Sequence, residues 1–91
     1  MNEVFLLGQV IRYEKVEDDF DCTLLHIEVK NDFGGGSQIV PIYCYSALSN
    51  FVENHLRLLD GVLVKARVIV KTVVKDEQVR LHAMKITFSD K

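Results

Sequence analysis

Aromatic and basic side chains occupy positions of this sequence that face away from the predicted core. In residues 38–45, the apolar Ile42 and Cys44 alternate with Tyr43 and Tyr45, so the tyrosines point to the opposite side of a strand. The basic residues at comparable non-core or loop-tip positions are Lys30, Lys65, Arg67, Lys71 and Lys75. Rings stack on unpaired bases and cations neutralise phosphates, so this combination is typical of a surface that binds single-stranded nucleic acid.

A further ring, Phe33, lies in a loop with three consecutive glycines, Gly34–Gly36. Nothing in so flexible a loop forces the ring into the core, so we expect it to be exposed. Phe33 and Tyr45 are predicted to be stacking platforms whose replacement by alanine weakens binding and leaves the fold intact. A tyrosine at a protein interface, or a solvated basic face, would give the same pattern, so both alternatives stay open.

The residue types that usually perform catalysis or bind metals are few and poorly spaced. The candidates are Cys22, Cys44, His26, His55 and His82, and no pair of them shows ligand or nucleophile–base spacing. The two cysteines are better explained as small buried hydrophobic residues. We therefore expect no enzyme activity, no metal and no cofactor.

Charge is unevenly distributed along the 91 residues, which we expect to form one domain over 1–91. The formal net charge of −2 disfavours a nucleic-acid partner. However, residues 14–21 hold five acids against Lys15 alone, and the rest of the chain is slightly basic. The acidic segment is predicted to be a solvated loop, which leaves room for a basic face elsewhere.

No segment of the sequence predicts a membrane or secretory destination. The apolar runs fall short of the roughly 20 residues that a membrane helix needs. The start, Met1-Asn2-Glu3, lacks the basic region of a signal peptide. We therefore expect a cytoplasmic protein with no membrane partner.

The order of predicted elements favours a mainly β OB-fold, a five-stranded Greek-key barrel with one α-helix between strands 3 and 4. The predicted strands cover 3–13, 20–30, 38–45, 62–75 and 78–88, and the helix covers 47–59. In the helix, an apolar stripe includes Leu56 and Leu59, and Gly61 follows its end. A tight turn is predicted at Asp76-Glu77.

Two residues that are unusual inside strands indicate local irregularities of the sheet. Gly8 predicts a bulge or a close backbone approach, and Pro41 predicts an edge or a bulge. In strand five, Arg80 and His82 share parity with the apolar Ile86, which requires a bulge that the sequence does not locate.

The first strand is apolar on both faces, which is more than one small core can cover. One parity holds Val4, Leu6 and Val10, and the other holds Phe5, Leu7 and Ile11. A partner subunit is the simplest cover for the second face. We therefore expect a homodimer or homotetramer that assembles through the first strand, with Val4, Phe5, Leu7 and Ile11 in the interface.

The sequence resembles the bacterial single-stranded DNA-binding protein family along nearly its whole length. Asn2–Val10 is similar to the family's opening strand N-x-V-x-L-x-G-x-L, and Leu25–Val29 to its second strand. Ile42–Tyr45 resembles the third strand, while Phe51–Leu56 and Asp60–Val64 resemble the helix and the entry to strand four. The match consists of five short fragments in the family's order.

The resemblance implies a site and a function. Family members stack bases at about four places; Phe33 falls where one tryptophan usually sits and Tyr45 matches the ring that closes strand three, whereas Ile39 and Lys75 replace the other two rings. No counterpart of the family's acidic tail follows Ser89, which suggests a short version. The implied function is weak, strongly salt-dependent and non-sequence-specific binding of single-stranded DNA in replication, recombination or repair. The alternative is an OB-fold protein-interaction module, similar to primosome accessory proteins, with little affinity for DNA.

Overall fold

Five strands and one helix make up the computed structural model, which describes residues 2–18, 20–31 and 34–89. The elements are β1 (Val4–Val16), β2 (Cys22–Lys30), β3 (Ser37–Tyr45), α1 (Ala47–His55), β4 (Gly61–Val73) and β5 (Asp76–Phe88). The strands close into a barrel in the order β1-β2-β3-β5-β4. The predicted OB-fold, with its helix between the third and fourth strands, is confirmed. Within these ranges, no helix has the length and apolarity needed to cross a bilayer.

The barrel core is built from alternate residues, because successive side chains of a strand point to opposite faces. Leu25 and Ile27 of β2 are fully buried, as is Val64 of β4. Cys22 and Cys44 are buried free thiols, as the sequence predicts. Burial raises the pKa of the Cys44 thiol to about 12, so the thiol stays protonated and packs as an apolar group.

The first strand pairs with two different strands along its length. Its residues 4–9 pair with β4 and its residues 9–16 pair with β2. Gly8 lies at the transition, where a Cβ would stand 2.5 Å from the Glu28 carbonyl oxygen, which confirms the predicted close approach. The bulge of β1 is at Ile11 instead. Because β1 continues to Val16, Glu14 belongs to the sheet, and the prediction of a solvated loop from residue 14 onward is wrong there.

The helix ends at His55, four residues earlier than its apolar stripe predicts. Leu56 is already extended, and the next residues turn back towards β1. The Leu59 N–H donates to the Val10 carbonyl oxygen at 2.7 Å, and Leu59 has a φ of 72° and an exposed side chain. The prediction that Leu59 packs on the helical stripe is therefore wrong, and Gly61 opens β4 rather than capping the helix.

The β4–β5 hairpin turns at Val74-Lys75, two residues before the predicted turn. Both residues have a positive φ, 46° and 71°, as a two-residue hairpin loop of the primed type requires. Asp76 and Glu77, predicted to form the turn, instead begin β5.

The register between β4 and β5 shifts by one residue near the middle of the hairpin. The shift lies between Lys65 and Ala66 of β4, so Met84 of β5 is the extra residue. This locates the bulge that the sequence requires. In the part of β5 before Met84, the side chains that face the core have the opposite parity to Ile86. Arg80 and His82 therefore lie on the face away from the core.

Candidate nucleic-acid interface

Parallel contact between β3 and β5 creates the candidate site. The two strands pair at Tyr43 and His82, whose rings lie on the outer face of the barrel. Lys71 of β4 reaches the same place from the neighbouring strand, and the β1–β2 connection supplies one acid. We call the group the ring cluster; its members are Asp18, Tyr43, Tyr45, Lys71, Arg80 and His82.

Three rings and a guanidinium group pack together in the ring cluster. The His82 ring lies 4.9 Å from the Tyr45 ring and 5.9 Å from the Tyr43 ring, centroid to centroid, both tilted by 48°. The Arg80 guanidinium carbon stands 4.3 Å from the Tyr43 ring centroid, within the range of a cation–π contact. Both tyrosines are half-buried, so each ring offers only part of its surface to a ligand.

One carboxylate holds the polar side of the ring cluster together. The Tyr45 hydroxyl donates to Asp18 Oδ2 at 2.7 Å, and Lys71 Nζ donates to Asp18 Oδ1 at 3.0 Å. Arg80 Nη1 lies 3.8 Å from Asp18 Oδ2. The side chain of Asp18 is 9% exposed and that of Arg80 13%, so this network is largely shielded from water.

Burial sets the protonation states of the rings. It lowers the pKa of His82, and the cations Arg80 and Lys71 lower it further while Asp18 opposes them. The imidazole is therefore neutral near pH 7, and its Nε2 is buried without a hydrogen-bond partner among the described residues. Burial also raises the pKa of Tyr45, and its hydrogen bond to Asp18 acts in the same direction, so the hydroxyl remains a donor.

A groove of about 320 Å³ opens beside the ring cluster. Its walls are Asp18, Phe20, Tyr45, Lys71 and His82. The Phe20 side chain is 69% exposed although it is large and apolar. It adds an accessible aromatic surface next to the more deeply set tyrosines.

The structure unites some of the predicted binding residues at this site. Tyr43, Tyr45 and Lys71 belong to the ring cluster itself. Arg67 pairs with His82 across β4 and β5 and is exposed, so it extends the cationic surface of the cluster. These residues lie together because the strands that carry them are adjacent in the barrel.

Other predicted binding residues lie elsewhere. Lys65 forms an ion pair with Glu3 at 3.5 Å on the β1 side of β4. Lys30 lies opposite Ser37 at the far end of the β2–β3 hairpin, and Lys75 is at the tip of the β4–β5 hairpin. Phe33 lies outside the described residues, so its predicted role stays a prediction.

Arg80, His82 and Asp18 are members of the cluster that the sequence does not identify as binding residues. For Arg80 and His82, the available signal is the conflict of parity in strand five, which a bulge resolves. For Asp18 no local signal exists, because one acid among five looks like its neighbours until the fold brings Lys71 to it.

A separate apolar surface lies on the first strand. Phe5 and Leu7 are 62% and 61% exposed, and Leu63 of β4, which pairs with Leu7, is 40% exposed. We call these three residues the β1 patch. Val4 points to the opposite face, against the prediction that it joins this surface, and Ile11 is half-buried at the bulge.

No group of three or more histidine, cysteine, aspartate or glutamate side chains in residues 2–18, 20–31 and 34–89 is arranged to hold a metal ion.

Comparison with known proteins finds structures with a similar fold. No family model and no curated protein matches the sequence. Among solved structures, the dimeric N-terminal domain of PriB from Thermoanaerobacter tencongensis has 17% identity and a TM-score of 0.78, covering 99% of this chain and 98% of that one. A small single-stranded DNA-binding protein from Mycoplasma pneumoniae has 19% identity and a TM-score of 0.76, covering 96% and 92%. Rim1, a mitochondrial single-stranded DNA-binding protein from S. cerevisiae, has 13% identity, a TM-score of 0.79 and the same coverage. The resemblance noted from the sequence is thus confirmed at the level of the fold, which this chain shares with these three structures.

Proposed function

We propose that this protein binds single-stranded DNA through the ring cluster, without sequence specificity and without catalysis, in replication, recombination or repair. The observation that carries the proposal is a cluster of three rings on one outer face of an OB barrel, with Arg80 against the Tyr43 ring and Lys71 close by in its ion pair with Asp18. Proteins that share the fold across nearly the whole chain are named for binding single-stranded DNA. Unpaired bases expose faces to such rings, and phosphates meet the cations.

The expected affinity is weak, because the stacking surface and the number of cations at the site are both limited. Stacking contributes about 1–3 kcal/mol per base on a fully available ring, and the tyrosines here are half-buried. Ionic contacts therefore supply a large share, with a salt slope of about −0.7 per phosphate neutralised. Arg67 extends the cationic path beyond the cluster. Lys30, Lys65, Lys75 and Phe33 are proposed as more distant contacts to the same strand.

The test is a fluorescence-anisotropy titration of labelled oligo-dT at about 50 mM and about 200 mM salt, conditions that separate ionic from stacking contributions. We expect binding that weakens clearly at the higher salt. Tyr43→Ala should weaken it about tenfold, the loss of one partial stacking contact, whereas Tyr43→Phe retains the ring and should bind like the wild type.

Two exposed cations at different places on the barrel provide a test variant and its matched control. Arg67→Gln and Lys15→Gln each remove one exposed cation, but only Arg67 adjoins the ring cluster; Lys15 faces Asp21 and Glu53. Arg67→Gln should reduce both the affinity and the salt slope, and Lys15→Gln neither. Equal effects of the two substitutions, or binding unaffected by salt, would contradict the proposed site.

A second function is favoured by one observation. Asp18 already engages Tyr45, Lys71 and Arg80, as a partner's acidic side chain would in a protein complex. An OB barrel with this face can therefore serve as a protein-interaction module. Failure of the wild type to bind single-stranded or double-stranded oligonucleotides at low salt would favour this function over the first.

We also propose that the chain forms a homodimer through the β1 patch. Residues 4–8 of β1 pair with β4 and with no second strand among the described residues, so a strand edge adjoins the exposed Phe5 and Leu7. A second copy related by a twofold axis would cover both. Light scattering should give at least twice the 10.4 kDa mass of one chain. Leu7→Lys should give single chains and Val79→Lys, a control at another exposed apolar position, should not; a monomeric wild type would refute the proposal.

A further inference from the structure

The position of Asp18 indicates how the proposed binding site is occupied before DNA arrives. Among the acids of the segment 14–21, Asp18 folds back onto the sheet, with 9% of its side chain exposed. Asp21, by contrast, has a side chain that is 75% exposed and lies 4.0 Å from Lys15. Asp18 therefore packs against the cationic face, whereas Asp21 of the same segment stays solvated.

The donors around Asp18 are those that a phosphate group requires. A hydroxyl from Tyr45, an ammonium group from Lys71 and a guanidinium group from Arg80 converge on its two oxygens, at 2.7, 3.0 and 3.8 Å. Carboxylate and phosphate oxygens accept the same charge-assisted hydrogen bonds, and guanidinium groups bind either anion. These donors come from three strands, so the barrel itself fixes their spacing.

The surroundings fit a nucleotide and not only an anion. The groove next to Asp18 is bounded by the exposed Phe20 and by the rings of Tyr45 and His82. His82 Nε2, buried and without a hydrogen-bond partner among the described residues, adds an unused polar atom at this place. A strand whose phosphate replaced the carboxylate would bring its adjoining base against these rings.

We propose that Asp18 occupies, in the free protein, the subsite of one DNA backbone phosphate, so that a single strand binds by displacing the Asp18 carboxylate. Phe20 forms the adjoining base platform. The inference rests on the proposed function and adds to it an intramolecular competitor. Displacement frees Tyr45, Lys71 and Arg80 together, because all three contact the same carboxylate.

Asp18→Asn tests the inference, with Asp21→Asn as the matched control. Each substitution removes one negative charge from the same segment, so a general change of field affects both equally. In oligo-dT titrations at about 100 mM salt, we expect Asp18→Asn to bind about tenfold more tightly than the wild type and Asp21→Asn to stay within about threefold. Asp18→Asn should also lower the midpoint of thermal unfolding, because the Tyr45, Lys71 and Arg80 contacts are weakened.

Opposite changes in stability and affinity distinguish competition from a structural role. If Asp18 only fixed the position of its loop, its replacement would lower the stability of the protein and leave the affinity for oligo-dT unchanged or lower. A double-mutant cycle adds a second readout. Lys71→Gln in the wild type removes a phosphate contact but also weakens the hold on Asp18, so the affinity for oligo-dT should change little. In the Asp18→Asn background, where no carboxylate competes, the same substitution should lower that affinity in full.

Each outcome has a defined meaning. If the wild type binds oligo-dT and Asp18→Asn binds no better than Asp21→Asn, Asp18 is not a competitor and the inference fails while the proposed function stands. Additive effects of Asp18→Asn and Lys71→Gln overturn it in the same way. If the wild type and all variants fail to bind, the proposed function fails and the inference fails with it.

Discussion

Gly8→Ala tests the most constrained point of the barrel, where β1 passes from β4 to β2. A Cβ on Gly8 would lie 2.5 Å from the carbonyl oxygen of Glu28, whereas real Cβ contacts essentially never fall below 3.0 Å. The two backbones must therefore separate by about half an ångström, and the obstructing atom is main chain that cannot rotate away. The pairing of Gln9 with Glu28, where the β1–β2 ladder begins, is the first contact to be strained.

The magnitude follows from two opposing contributions. Overpacking of this kind costs about 1–3 kcal/mol. Loss of conformational freedom in the unfolded chain returns about 0.4–1 kcal/mol when glycine is replaced by alanine. The net loss is about 1–2 kcal/mol, and since each 1 kcal/mol shifts the unfolding midpoint of a domain this size by about 4–8 °C, we expect a decrease of about 5–15 °C.

Gly35→Ala is the matched control for this measurement. Nothing lies within 4 Å of a Cβ on Gly35, and its φ is not in the positive range, so its midpoint should not fall. Thermal unfolding followed by circular dichroism gives both values, at equal protein concentration because self-association shifts the midpoint. Equal midpoints for the two variants would refute the close approach of β1 to Glu28 and, with it, the way β1 is shared between its neighbours.

Two further predictions concern pH and the hairpin turn. From about pH 8 to about pH 5.5 the free energy of unfolding should fall, because burial lowers the pKa of His82 below its usual 6.5 and the unfolded chain takes up a proton first; His26 acts in the same direction. Urea titrations should show a smaller fall for His82→Gln than for the wild type, and equal falls in the two would contradict this assignment. Replacing Val74 by Asn and Lys75 by Gly should stabilise the protein by about 1–2 kcal/mol, because both positions have a positive φ that Asn and Gly adopt more readily than the β-branched valine or lysine does. A lower unfolding midpoint in that variant would argue against a primed turn at this position.

The fold is largely predictable from sequence because a small barrel has one core. Alternation on β2 and β4 therefore identifies the buried face directly, as at Leu25 and Val64. Errors arise where a tertiary contact overrides a local pattern. Leu59 continues the helical stripe in sequence, yet its N–H bonds to Val10 of a distant strand and ends the helical region early.

The site is predictable only where local alternation is sufficient. Tyr43 and Tyr45 need no more than their own strand to be placed on the outer face. Arg80 and His82 depend on one extra residue, Met84, because a single-residue shift moves every side chain beyond it to the other face. A sequence with an apolar–polar parity conflict predicts such a bulge, but not its position.

Net charge describes this chain incompletely, because its charges are unevenly placed. A phosphate responds mainly to charges within a Debye length, about 8–10 Å at physiological salt, so the overall value of −2 matters less than the local arrangement. At the ring cluster, Lys71 and Arg80 face one carboxylate, and exchange of that carboxylate for a phosphate keeps the same number of ion pairs. In the competition that we propose between Asp18 and DNA, the neighbouring rings and cations such as Arg67 decide the outcome, because a bound strand adds a partner for each of them. On this proposal, a chain with a net negative charge keeps a basic site for DNA and occupies it with its own Asp18 side chain until a strand binds.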